Sequence, residues 1–370
     1  MTYTKTLDLI FQSYLRAKPY IAGKFDRDVR DPAILLEVAR KFDLLPDPAS
    51  TIKVTGSKGK GTVARLCAQS LSDHGKTGLV ISPEEISHLD RMRINGVSIS
   101  EKQFIVCFEK IWAAVMVPEP PAYLSPYGLF LLSALQWFKD EGVDYCVLET
   151  GRGVKYDEGG QVPTQVGVVT SVFLEHATYL GPSLEEIRAD KLSICETCDQ
   201  VIVAEGTIPA GDVVPGWYAH SQNLAQQAVE ALLQKTVVLP DAICGSFGQQ
   251  QNSFYEGMIA AESADMSFLK KLVDRHEGSV CFYVSLPDDK DVKGVCDLLD
   301  QLDADVRHIV LRGERGFLSY EEAKSRDVVY SGGYDDVAGL RAGLKFGDHA
   351  VRYFIGTQTY LRLIKQAYFS

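Results

Sequence analysis

The chain has 370 residues, with 38 lysines and arginines against 49 aspartates and glutamates, a net charge of −11 and 46% hydrophobic residues; this excludes a disordered or fibrous protein. The length suits two packed domains, and the acidic balance argues against an electrostatic grip on nucleic acid while leaving room for a local basic patch around a small anion. Lys5, Asp8 and Arg16 interrupt the first sixteen residues, so they lack a signal peptide's apolar core, and no stretch approaches the roughly 20 apolar residues of a membrane span. A cytoplasmic protein without a membrane partner is expected. Its eight cysteines are scattered through apolar segments, and Cys195 and Cys198 form a lone CxxC without a second pair, so ordinary packing of reduced thiols is expected.

Residues 51–55, 77–82, 144–149, 165–172 and 200–204 read as strands, and the near-continuous apolar runs at 143–148 and 166–170 are those of buried parallel strands. Between them, 62–74, 125–141 and 183–195 have the apolar spacing of covering helices. This alternation predicts a parallel α/β sheet. A helix over 221–234 leads into 235–243, where Pro240 breaks the pattern, and the domain boundary is placed there: 1–236, then 241–370. Strands at 279–285, 306–311, 327–330 and 351–355, separated by helical stretches, predict a second, smaller α/β domain.

The strongest local signal is Val54-Thr55-Gly56-Ser57-Lys58-Gly59-Lys60-Gly61-Thr62, between a predicted strand and a predicted helix. It reads as a phosphate loop. Gly56, Ser57, Lys58, Gly59, Lys60, Gly61 and Thr62 are the candidate nucleotide-binding residues: glycines aim backbone N–H groups at phosphate oxygens, Lys60 adds charge, and the Thr62 hydroxyl can ligate Mg²⁺. The spacing departs from GxxxxGK[ST], because Gly61 stands between Lys60 and Thr62, and a Gly/Lys-rich surface turn is the competing reading. Glu149 ends a buried strand at the carboxyl edge of the sheet. A carboxylate there, beside phosphates, reads as a Mg²⁺ ligand; a cap or a salt bridge is the alternative.

This loop resembles that of the folylpolyglutamate synthase and dihydrofolate synthase branch of the Mur ligase superfamily, G-T-N-G-K-G-S; the cell-wall Mur ligases resemble GKT or GKS instead. Further likenesses follow in the same order. Ser82-Pro83, His88-Leu89 and Arg91-Met92-Arg93-Ile94-Asn95-Gly96 resemble SPHL…ERIrING, and residues 143–153, VDYCVLETGRG, resemble VDYAVLEVGLGG. Residues 170–181, TSVFLEHATYLG, resemble TSIGLDHTEILG; 184–194 resemble IEEIAxEKAGI; 287–292 resemble a DKD segment, and 356–361 the final GSLYL.

The resemblance implies a parallel-sheet P-loop ATPase domain with a smaller C-terminal Rossmann-like α/β domain, and ATP and Mg²⁺ as cofactors. It makes His176 a ligand of the second Mg²⁺ and Lys191 a CO₂-modified lysine, so that Lys60, His176 and Lys191 are the catalytic candidates and Thr62, Glu149, His176 and Lys191 the metal candidates. It puts Ser82, His88 and Arg91 on the substrate side and Asn223, within 218–225, beside the adenine. The residues alone leave a loop histidine, a solvated lysine and a helix N-cap open at His176, Lys191 and Asn223.

Two departures bear on the substrate. The family's PGR and DGAHNP segments have as counterparts 245–249 and 255–260, where the Arg and His are gone and Met258-Ile259 cannot hydrogen-bond through side chains, while Glu84-Glu85-Ile86-Ser87 separates Pro83 from His88. The expected function is therefore an ATP-dependent amide ligase that activates a small carboxylic acid as acyl phosphate for attack by an amine, glutamate among the candidates. The acid is expected to differ from a standard folate, with folylpolyglutamate or dihydrofolate synthesis as the alternative and a catalytically decayed nucleotide-binding protein as the third reading. A monomer or homodimer is expected.

Overall fold

The computed structural model describes residues 1–204, 216–240, 243, 254–256, 264–276, 279–286, 291–312, 327–333 and 335–368. Two compact units divide the chain: Met1–Thr207 with His220–Gln250, and Ile208–Ala219 with Gln251–Ser370.

The first unit contains α1 (Tyr3–Ala17), α2 (Asp26–Val29), α3 (Ala33–Lys41), β1 (Thr51–Thr55), α4 (Lys60–Leu71), β2 (Thr77–Val80), β3 (Met92–Ile94), β4 (Val97–Ser98), α5 (Glu101–Trp112) and α6 (Pro126–Glu141). It continues through β5 (Tyr145–Glu149), β6 (Thr164–Val169), α7 (Ala177–Leu180), α8 (Leu184–Leu192), β7 (Cys198–Val203) and most of α9 (Gly216–Leu233). Its sheet runs β4-β3-β2-β5-β1-β6-β7, parallel from β2 to β7 and antiparallel where the β3–β4 hairpin extends one edge. The expected parallel α/β architecture is present. β1 is buried at every position, and α6 is buried from Tyr127 to Phe138, which is why its sequence shows no polar face. Local signals fix the helix ends: Ser125 accepts from Gly128 N–H ahead of Pro126, and Ser183 with Glu186 closes a capping box on α8.

The second unit holds β8 (Phe254–Glu256), α10 (Met266–Arg275), β9 (Val280–Ser285), α11 (Val292–Leu299), β10 (Asp305–Arg312), β11 (Val328–Gly333), α12 (Val337–Gly343), β12 (Val351–Gly356) and α13 (Gln358–Tyr368). Its five strands are parallel in the order β11-β10-β9-β12-β8. Along β9, Val280, Phe282 and Val284 join one core with α10 and α11, whereas Cys281 and Tyr283 join another with α12 and α13. A sheet covered on both faces requires that apolar run.

Candidate functional site

β1 lies between β5 and β6, with Val54 opposite Glu149 and Thr55 opposite Val169, so three strand ends meet where the connections diverge to opposite sides. Ligands of open α/β sheets bind at such a place. The loop that leaves β1 is pinned to the segment after β6: Ser57 N–H donates to Ser171 O at 2.7 Å, and the Ser57 hydroxyl accepts from Phe173 N–H at 3.2 Å. Lys58 forms a backbone bridge with the same Ser171. Gly56 has φ +134°, and a Cβ there would fall 2.0 Å from Thr170 Oγ1, so neither its conformation nor its surroundings admit a side chain. Gly59, at φ +88°, turns the chain into α4.

Lys60 is the first residue of α4, and its ammonium donates to Gly56 O at 3.0 Å, folded over the loop it is expected to serve. Thr62 is in the same first turn, where free N–H groups and the helix dipole favour an anion. Glu149 is 3% exposed and accepts from Ser82 N–H at 3.0 Å; its Oε2 lies 3.3 Å from where a Cβ on Gly61 would be.

Lys191 is fully buried. Its ammonium donates to Gly56 O at 2.9 Å and to Arg152 O, and lies 3.6 Å from Glu175 Oε1. Burial, reinforced by Lys60, pushes its pKa down to about 8. The solvated-lysine reading is thereby set aside. His176 adopts a left-handed conformation at φ +51° ahead of α7, its Nε2 is 3.7 Å from Glu175 Oε2, and burial holds its pKa below the ordinary value.

These contacts join the loop, Glu149, Glu175, His176 and Lys191 at one edge of the sheet. Glu175 Oε1 is buried without a hydrogen-bond partner, which fits a hard cation drawn to carboxylate oxygens. Among the described residues no three His, Cys, Asp or Glu side chains converge as a ready cage. Mg²⁺ needs none, since it commonly takes one or two carboxylates and completes its shell with phosphate and water. Glu175 went unread in the sequence although it precedes His176 at the Asp of TSIGLDHTEILG.

The three substrate-side candidates separate. Ser82 touches the site through Glu149, but His88 Nδ1 is 3.3 Å from Glu84 Oε1 with its ring against Phe11 and Phe130, and Arg91 Nε donates to Glu84 Oε2 at 2.8 Å. Although burial opposes it, His88 and Arg91 hold the Glu84 carboxyl well below the usual carboxylate range. Asn223 is not the N-cap that was one reading of it: α9 begins at Gly216, and Asn223 is exposed inside the helix, accepting from Gln227 Nε2 at 3.1 Å. On α9, Ser221 approaches the loop, its Oγ 3.3 Å from where a Cβ on Gly59 would be. Residues 245–249, 257–260 and 287–290, which carry the expected departures and most of the DKD segment, lie outside the described residues.

Among the described residues the cysteines are free thiols, Cys195 exposed and Cys198 half-buried, and no helix is long and apolar enough to cross a membrane.

Residues 54–222 match the family described as the Mur ligase middle domain. The dihydrofolate synthase/folylpolyglutamate synthase of Haemophilus influenzae is 31% identical over 173 residues, 46% of this chain and 38% of that enzyme. The matched region is thus well under half of that relative's length. The bifunctional folylpolyglutamate synthase/dihydrofolate synthase of Yersinia pestis, solved with AMPPNP and Mn ion, shares the fold with a TM-score of 0.63 at 20% identity, over 92% of this chain and 93% of that one. Folylpolyglutamate synthase of Mycobacterium tuberculosis, solved with ADP and AMPPCP, gives a TM-score of 0.62 at 17% identity over 98% and 99%. The chain resembles the folylpolyglutamate synthase and dihydrofolate synthase branch of the Mur ligase superfamily in sequence and in fold.

Proposed function

We propose that this chain is an ATP-dependent, ADP-forming amide ligase: a carboxylate takes the γ-phosphoryl group of ATP, and an amine then displaces phosphate from the acyl phosphate. The observation that carries the reading is the junction of the loop at 56–62 with Glu149, Glu175, His176 and Lys191 at the switch between β5, β1 and β6. Loop N–H groups and Lys60 hold the phosphates; Thr62, Glu149, Glu175 and His176 are suited to hold Mg²⁺, which when bound neutralises phosphate charge. Lys191, placed 3.6 Å from Glu175, loses its positive charge and gains a carboxylate on reaction with CO₂, which turns an ammonium that opposes a cation into a group that supports one. Nucleotide handling is assigned to residues 1–236 and the smaller ligase domain to 241–370.

The names of the relatives favour a pteroate or folate as the acid and glutamate as the amine, the alternative weighed in the sequence, over the non-folate acid expected first. The second reading, another acid, retains one observation: Glu84 engages both His88 and Arg91, two of the residues expected to face the substrate. Phosphate release with ATP, Mg²⁺, glutamate and either dihydropteroate or tetrahydrofolate tests both. Turnover at micromolar pterin supports the folate reading, and silence with both pterins, alongside ordinary AMPPNP binding, favours another acid. Lys60→Ala is expected to lower turnover on whichever acid is active by about a hundredfold or more with an unchanged melting curve. Near-native turnover in that variant refutes the loop assignment.

A further inference from the structure

The one-turn helix α7 hangs from His176. The Tyr179 and Leu180 N–H groups donate to His176 O at 2.8 and 3.0 Å, none of the residues of α7 is buried, and His176 makes no side-chain capping bond. A single turn with so little packing does not hold its own place. Arg152, on the loop after β5, reaches it from outside: its guanidinium lies over the Tyr179 ring, 3.8 Å from the ring centre. That guanidinium is itself fixed. Nε donates to Asp26 Oδ2 at 2.7 Å, Nη2 donates to Asp26 Oδ1 and, at 2.9 Å, to the Tyr123 hydroxyl, and Asp26 is 2% exposed. A bidentate pair of this kind sets the plane of the guanidinium, which a lysine ammonium cannot do. The main chain of the same residue serves the other candidate, because Arg152 O accepts from the Lys191 ammonium. One residue therefore touches both Lys191 and the helix that His176 opens.

We propose that Arg152 is a positioning residue for the metal side of the site: locked by Asp26 and Tyr123, it holds α7 through the Tyr179 ring and Lys191 through its own carbonyl, and so fixes His176 and Lys191 relative to each other. Mg²⁺ takes its ligands at about 2.0–2.1 Å in near-ideal octahedral geometry, so a ligand free to drift by about an ångström holds it poorly. The residues that orient metal ligands accordingly matter to affinity without touching the metal. The charge of Arg152 is not what serves here, since a cation beside a cation site opposes binding and Asp26 offsets it. The placement of its plane is. This inference rests on the reading of His176 and Lys191 as metal-side residues.

The test is Mn²⁺ affinity measured by electron paramagnetic resonance with AMPPNP and bicarbonate present, and AMPPNP affinity measured separately without metal. Arg152→Lys keeps the charge and loses the planar fork; it is expected to weaken Mn²⁺ binding by about tenfold, the lower end of what loss of a ligand's support costs, and to leave metal-free AMPPNP binding as in the wild type. Tyr179→Leu is expected to weaken Mn²⁺ binding likewise, and Tyr179→Phe, which keeps the ring, to bind Mn²⁺ within about twofold of the wild type. Because the two side chains act through one contact, Arg152→Lys/Tyr179→Leu loses no more than Arg152→Lys alone, whereas independent losses of structural support add. If Arg152→Lys fails to fold, the contrast between the two Tyr179 variants decides. Wild-type Mn²⁺ affinity in Arg152→Lys or in Tyr179→Leu, equal losses in Tyr179→Leu and Tyr179→Phe, or additive losses in the double variant overturns the inference alone. A wild-type protein that binds AMPPNP but no Mn²⁺ overturns the metal reading and this inference with it.

Discussion

Lys191 shows how burial changes the acid–base state of a surface-type residue. An ammonium is the least reactive state of an amine toward CO₂, and only the neutral form can make the new N–C bond and release a proton. Because burial and Lys60 lower the Lys191 pKa to about 8, the neutral fraction, which at the ordinary lysine value of 10.5 is negligible near pH 7, becomes appreciable. The sign follows for the proposed carbamate on Lys191: it is expected to increase as pH rises through about 8 and to fall away below it. With ¹³C-labelled bicarbonate, a carbamate carbon signal is expected that grows from pH 7 to pH 8.5 and is missing in Lys191→Ala. A wild-type spectrum without that signal across the whole range rules out the modification. The residues alone left Lys191 as a solvated side chain on an amphipathic helix, and the modified-lysine role came from the resemblance; its burial depends on Gly56 and Arg152, whose carbonyls come from two other segments.

At the scale of elements, the strand-loop-helix of 51–71 was legible because its signals are local. A five-residue strand rich in β-branched side chains, a glycine-rich turn and a helical repeat all sit within one short stretch, and each glycine answers a local need. Those needs differ, and the difference is measurable. Gly56→Ala puts a methyl 2.0 Å from Thr170 Oγ1 and 2.9 Å from Thr170 N, a backbone atom that cannot yield, whereas a methyl on Gly59 meets only the Ser221 hydroxyl at 3.3 Å. Gly59→Ala is therefore expected to cost about 1–2 kcal/mol for its left-handed conformation, and Gly56→Ala clearly more. Equal melting-temperature losses in the two variants would show that the loop, not the Thr170 backbone, gives way. Other elements escaped notice. The β3–β4 hairpin turns at Asn95-Gly96, with φ +46° and +80°, a familiar hairpin dipeptide that was absorbed into the Arg91–Gly96 motif instead of being read as a turn. Asn223 was read against a helix start that lies at Gly216.

Over the whole molecule, the parallel strands of the two sheets were legible because strands covered on both faces must be apolar almost throughout, as β5 and β9 are. Charge pairing between distant segments leaves no such trace. Arg30, 127 and 128 positions from its partners Asp157 and Glu158, donates to them at 3.3 and 2.7 Å and also faces Asp26 at 3.4 Å, while Asp26 binds Arg152. Burial works against the Arg30 charge, but the carboxylates outweigh it and raise its pKa; burial raises that of Glu158. The cluster thus fastens the N-terminal segment to the loop that follows Glu149. Arg30→Met keeps the volume and removes the cation, leaving Asp157 and Glu158 buried with less compensation, a change expected to cost about 3–5 kcal/mol in denaturant unfolding at pH 8. With the cation gone, the folded-state pKa of Glu158 rises further above the unfolded value, so the variant recovers stability as pH falls and Glu158 protonates. The gap between wild type and Arg30→Met is therefore expected to be narrower at pH 5 than at pH 8, and Arg30→Met/Glu158→Leu to regain part of it at pH 8. A gap under about 1 kcal/mol at pH 8 would mean that the surrounding packing, rather than Arg30, holds these carboxylates in place.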